Sequence, residues 1–183
     1  MKKTIVVFGL ISGAVSALMM VATMPFADKI GVDRGYFIGY TTIVLSFLLV
    51  FFGIRSYRDN ASHGQITFAK AFAVGIGITL ISCVCYVVTW QILYFKFMPD
   101  FMDKYNAHVL DKLKASGASA AAVEARAQQL KQYKEMYDNP LYNAAFTFLE
   151  PFPVGLLITL ASAAVLRRKA KSQTAQSSLA TSA

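Results

Sequence analysis

Four stretches of the chain are almost wholly apolar, and the polar segments between them dictate the architecture. They cover residues 4–26, 36–54, 71–95 and 143–166, and the only ion inside any of them is Glu150. Each is long enough to cross a hydrocarbon core of about 30 Å as a helix. Residues 99–139, between the third and fourth stretches, have the composition of a water-exposed segment. Phe101, Tyr105, Val109 and Leu113 recur there at four-residue spacing, and Val123, Ala127, Leu130, Tyr133 and Tyr137 at three or four. That periodicity predicts two amphipathic helices. Ser116-Gly117 breaks the pattern, Ser119 is placed to cap the second helix, and Asp138-Asn139-Pro140 ends it. The pattern predicts an all-α protein, with four transmembrane helices and an extracytoplasmic helical hairpin between the third and fourth.

Composition supports this and adds an orientation. The chain is 56% hydrophobic and 15% charged, against about 25% charged in soluble domains. Residues 1–171 are expected to form a single membrane domain, with residues 172–183, small and polar without periodicity, as a disordered cytoplasmic tail. Met1-Lys2-Lys3 followed by apolar sequence resembles a secretory signal. The run far exceeds the about 7–15 residues of a signal core and no A-x-A site follows, so an uncleaved anchor is expected. Placing the N-terminus, residues 55–70 and the tail on one side puts the whole net charge of +8 there. Lys2, Lys3, Arg55, Arg58, Lys70 and the basic cluster at 167–171 then face one acid, Asp59. Positive residues abutting spans stay cytoplasmic, so both termini are expected inside. The aromatic cluster Trp90, Tyr94, Phe95 and Phe97 suits the opposite headgroup level. The basic segments could also attract anionic lipid, although setting topology is sufficient reason for them.

Candidate chemistry centres on Glu150, followed by Pro151 and Pro153. It lies about five residues before the middle of its span, roughly 7 Å from the midplane at 1.5 Å per residue. A charge buried at a span centre costs about 2.5–3.5 kcal/mol, less toward the interface. Protonation of the carboxyl would lower that cost. So would a helix starting at Pro151 with Glu150 at its positive end. In a continuous helix the prolines leave the carbonyls of Thr147 and Leu149 without donors. A broken helix beside a carboxylate is how transporters build ion sites. The plainer alternative is a kink with a hydrogen-bonded acid. Gln91 on the third span is the expected partner, with Thr89 or an aromatic hydroxyl as alternatives.

Small residues recur at four-residue spacing: Gly9, Gly13 and Ala17; Ala71, Gly75, Thr79 and Cys83; Gly155, Thr159 and Ala163. Lipid gives helices no hydrophobic reason to associate, so close approach at such positions must supply it. Helix packing is therefore expected at Gly9, Gly13, Gly75 and Gly155, a pathway-lining role being the alternative. Cys83 and Cys85 are two apart and point to different helix faces, which fits buried thiols and not a redox pair. His63 and His108 fall on opposite sides of the membrane, and no hydrolase, nucleotide-binding or metalloprotease motif occurs. No catalytic residue, metal or cofactor is expected, and neither is nucleic acid.

Three segments carry a resemblance: G-Q-I-T-F-x-x-A-F-x-x-G at 64–75, N-P…F-T-F-L-E…P-V-G-L at 139–156, and A-S-A-A-V-L-R-R-K at 161–169. Over roughly residues 4–169 the chain resembles the bacterial membrane family catalogued as domain of unknown function 4199, with Gly64, Phe68, Gly75, Glu150 and Gly155 matching its pattern. The resemblance implies a four-span inner-membrane protein with an extracytoplasmic helical insert and no established activity. Two functions are expected from the residues. One is a non-enzymatic component that associates with another membrane or envelope protein, or with copies of itself, through the hairpin or the small-residue faces. The other is a proton- or ion-coupled transport component in which Glu150 titrates.

Overall fold

The computed structural model describes residues 1–168, so the expected disordered tail at 172–183 lies outside the described residues. Helices α1 (Lys2–Thr23), α3 (Val32–Ala61) and α4 (Phe68–Ile92) supply three spans, and a short helix, α2 (Ala27–Ile30), links the first two. Helices α5 (Phe101–Ala115) and α6 (Ala120–Tyr137) form the hairpin. The fourth span is made of two helices, α7 (Pro140–Leu149) and α8 (Pro151–Leu166). Among the described residues four segments are long and apolar enough to cross a membrane: Lys2–Phe26, Val32–Ala61, Phe68–Phe97 and Pro140–Leu166. This is the architecture of a multi-pass membrane protein.

Local chemistry explains the boundaries. Thr67 caps α4 by accepting from the Lys70 amide at 3.3 Å, and Ser119 caps α6 by accepting from the Ala122 amide at 3.3 Å. Asn139 accepts from the Leu141 amide at 3.0 Å, with Pro140 as the first residue of α7. Gly117, at φ 80°, makes the left-handed turn between α5 and α6. Helix α3 overruns the expected second span at both ends, shortening the loop expected at 55–70. Hydropathy marks where the hydrocarbon ends, whereas a helix continues through its polar flanks. Loop residue Ile66 pairs by backbone with Arg168, at 3.1 and 2.9 Å, which ties the basic end together.

The four spans close tightly in the half nearest that basic end. Val50, Ile54, Ala71, Val74, Ile78 and Ala163 are fully buried there. A Cβ on Gly9 would lie 2.7 Å from Ile81 Cβ, one on Gly13 2.5 Å from Cys85 Cβ, and one on Gly75 2.7 Å from Thr159 Cγ2. Such distances mean that the backbones approach until only hydrogen fits. Buried hydroxyls bond across the same contacts. Ser12 donates to the Ser46 carbonyl at 2.8 Å, Ser16 to Ser46 Oγ at 2.9 Å and Ser82 to the Gly9 carbonyl at 3.2 Å, while Thr79 and Thr159 share a bond at 3.0 Å. Interhelical bonds of this kind average only about 0.6 kcal/mol each, so fit at the small residues dominates.

The other half is different. Helix α3 packs along α8 but makes no comparable contact with α7, which rests on α4 and the end of α6. The bundle is shut at the basic end and splayed at the hairpin end.

The closed half can be tested at Gly155, where a Cβ would run into Thr79 Cγ2 and lie 2.9 Å from Phe47 Cζ. Gly155→Ala should destabilise by about 1–3 kcal/mol through overpacking, despite its better helix propensity. Thermal unfolding in detergent reads this directly, and an unchanged or raised Tm would show that the helices do not meet there.

Candidate functional site

The splay begins where α7 stops. Pro151 and Pro153 have no N–H, so neither can donate to the carbonyl four residues back, and the hydrogen-bond ladder is interrupted over one turn. Glu150 stays in right-handed helical geometry (φ −71°, ψ −58°), and its side chain makes no cap hydrogen bond to α8. It is half-buried and accepts from the Tyr86 hydroxyl, 3.0 Å from Oε2. Gln91 is therefore not its partner. Gln91 lies five residues further along α4 than Tyr86, about 7.5 Å nearer the hairpin at 1.5 Å per residue, level with the start of α7. There its amide donates to the Pro140 carbonyl at 2.9 Å and to Asn143 Oδ1 at 3.2 Å. Thr89 donates to the Cys85 carbonyl, within its own helix. Of the expected partners the aromatic hydroxyl is the one found.

Asn143 is the polar pivot of α7. It is fully buried, donates to the Tyr137 carbonyl at 3.2 Å, and accepts from Gln91 and from Thr147 Oγ1 at 3.4 Å. Next to it, Trp90 Nε1 donates to the Tyr137 hydroxyl at 2.9 Å, and the Trp90 and Phe101 rings meet edge-on at 5.0 Å. Tyr94 donates to Asp138 and packs on the Tyr137 ring at 5.2 Å. These contacts seat one side of the hairpin on α4. The other side is held by Asp33 at the start of α3, which accepts from Lys112 at 2.6 Å and lies 3.5 Å from His108 Nε2. The hairpin thus arches over the splayed end.

Beneath the arch is a cavity of about 880 Å³. Its deepest lining residues on the successive spans are Ser16, Thr42, Tyr86 and Glu150. Below them lies the closed half, with its Ser16–Ser46 and Ser82–Gly9 bonds. Glu150 is on the floor. The walls carry Met20, Tyr36, Tyr40, Trp90 and Phe146, and α5 contributes Phe101, Tyr105 and His108 near the mouth. Gly35 and Gly39 also line it, and a Cβ on either would meet nothing within 4 Å. At the mouth Asp100 pairs with Lys104 at 3.1 Å, and that hydrogen bond holds its carboxyl below the usual carboxylate range. Across the hairpin, the bond from Lys134 to Asp103 holds the lysine above its ordinary value.

Pro151 and Pro153 thus act by breaking the span, while Gly9, Gly13, Gly75 and Gly155 sit at helix contacts away from the cavity. Tyr86, Asn143, Gly35 and Gly39 were not anticipated from sequence. The glycines at 31, 35 and 39 do repeat at four-residue spacing, interleaved with Tyr36 and Tyr40. The same spacing marks packed faces, so it does not by itself announce a cavity. Among the described residues no group of three or more His, Cys, Asp or Glu is placed to hold a metal.

A family model described as a protein of unknown function (DUF4199) matches residues 7–168. No curated protein and no solved structure matches the chain. The match spans most of the sequence, and the chain belongs to the DUF4199 family.

The hinge network makes a sharp prediction at Asn143. Asn143→Leu keeps the volume but leaves the Gln91 amide and the Tyr137 carbonyl short of a partner. We expect a loss of about 1–3 kcal/mol, read as a lower Tm in detergent. A variant as stable as wild type would mean that this network does not hold α7 in place.

Proposed function

We propose that this DUF4199 member is a non-enzymatic protein of a bacterial inner membrane that works by binding, with its hairpin end outside and both termini in the cytoplasm. The cavity receives a solute from the outer side and holds it against Glu150. One observation carries this: the bundle is open above Glu150 and shut below it, so the only acid of the apolar stretches stands at the boundary. An open half over a closed half suits capture and not conduction. The orientation is supported by the basic clusters at the closed end. The tyrosine hydroxyl that Glu150 accepts from, on a wall rich in aromatic rings, suits a binding role. The lipid bilayer is the surrounding partner.

Association with a second membrane or envelope protein, or with another copy of the chain, fits the same scheme through the hairpin. Gly9, Gly13, Gly75 and Gly155 are used inside the bundle, which leaves the arch over the cavity as the surface that would register occupancy below. Proton- or ion-coupled transport is the second function, favoured by the position of Glu150 at the cavity floor. An outward-open cavity is one of the two states such a carrier needs.

Proteoliposomes separate the two. If the protein only binds, proton and sodium flux should match protein-free vesicles for wild type and for Glu150→Gln alike. A flux present in wild type and abolished by Glu150→Gln would replace binding alone with coupled transport.

A further inference from the structure

The cavity's chemistry narrows what can occupy it. The Glu150 carboxylate accepts one hydrogen bond, from Tyr86, although an ionised carboxylate has about four acceptor positions. No basic side chain pairs with it among the described residues. The remaining charges near the cavity are matched at the mouth, where Asp100 meets Lys104 and Asp33 meets Lys112 and His108. The floor therefore carries an acidic side chain without a basic partner among the described residues. The same cavity is lined by the rings of Tyr36, Tyr40, Tyr86, Trp90 and Phe146. Aromatic faces carry negative quadrupole density and attract cations within about 6 Å of the ring centre.

Ligand number argues against a bare divalent cation. Calcium takes about six to eight oxygen ligands and magnesium an octahedral set, and no acidic cluster is present among the described residues. A volume of about 880 Å³ falls within the range of small-molecule sites, about 300–1,000 Å³. Gly35 and Gly39 keep that volume free where any larger side chain would fill it. An anion would meet the carboxylate, and a neutral solute would leave it unmatched.

We propose that the cavity binds an organic ammonium ion with apolar substituents, the charged nitrogen against Glu150 and the substituents on the surrounding rings. This rests on the binding function proposed above. The ammonium can belong to a dissolved amine or to a phospholipid headgroup, since α3 and α7 do not pack together beside the cavity.

Trp90 is the chain's single tryptophan and lines the cavity, so its emission reports occupancy. The protein is placed in phosphatidylglycerol nanodiscs, which offer no ammonium headgroup. It is titrated with benzyltrimethylammonium, with its neutral isostere neopentylbenzene, and with benzenesulfonate. The cation should give a saturable change and bind at least about tenfold tighter than either comparator. Glu150→Gln should weaken the cation by a similar factor and leave the neutral probe unchanged. Gly39→Phe, which fills the wall without touching Glu150, should remove binding of both and keeps the test valid if the glutamine variant misfolds. Adding phosphatidylethanolamine to the discs identifies the source: a weakened titration points to the headgroup, an unchanged one to a dissolved amine, and both uphold the ammonium class. Equal affinity for cation and neutral probe, both lost in Gly39→Phe, overturns that class while binding in the cavity stands. If no probe alters Trp90 emission although acrylamide still quenches it, the ammonium class and the binding function fall together.

Discussion

A membrane offers the backbone no water, so each interrupted hydrogen bond in a span must be compensated or the helix must divide. Pro151 and Pro153 impose that choice on the fourth span, and the chain divides it. The division lets the two halves take different neighbours. Helix α8 packs into the closed half against α3 and α4, while α7 is drawn to α4 and the hairpin by Asn143, Gln91, Trp90 and Tyr137. The cavity is the space left between α7 and α3. Glu150 stands at the hinge itself, so the residue that marks the break is also the floor of what the break creates.

Glycine does two opposite things in this bundle. At Gly9, Gly13, Gly75 and Gly155 its missing side chain lets backbones touch. At Gly35 and Gly39 the missing side chain leaves empty volume. In the first case a methyl group collides, and in the second it would find room and improve helix propensity. A stability gain forgone at two adjacent turns, both lining the cavity that holds the one acid of the spans, is what a binding cavity requires.

The spans and the hairpin were legible because hydropathy and 3.6-residue periodicity are local properties. Glu150 was legible because an acid in an apolar run is costly wherever it ends up. Its partner was not, since the choice between Gln91 and Tyr86 turns on the axial level of α4 against the fourth span, which no local pattern encodes. The overrun of α3 was missed for a related reason: Asp33 and Arg58 look like loop residues by charge yet sit within the helix. The cavity was least legible of all. It is made of absent side chains and diverging helices, and a Gly-x-x-x-Gly repeat looks the same whether a neighbour fills it or not.

The most direct test is the accessibility of position 150 to an impermeant thiol reagent. Glu150→Cys would be placed in a background with Cys83 and Cys85 replaced by alanine, beside Ser82→Cys one turn below the floor and Gly117→Cys at the hairpin tip. Applied from the hairpin side, the reagent should modify positions 117 and 150 and spare 82. A position 150 that resists labelling from that side, or that reacts only from the basic side, would contradict a cavity open above Glu150 and closed below it.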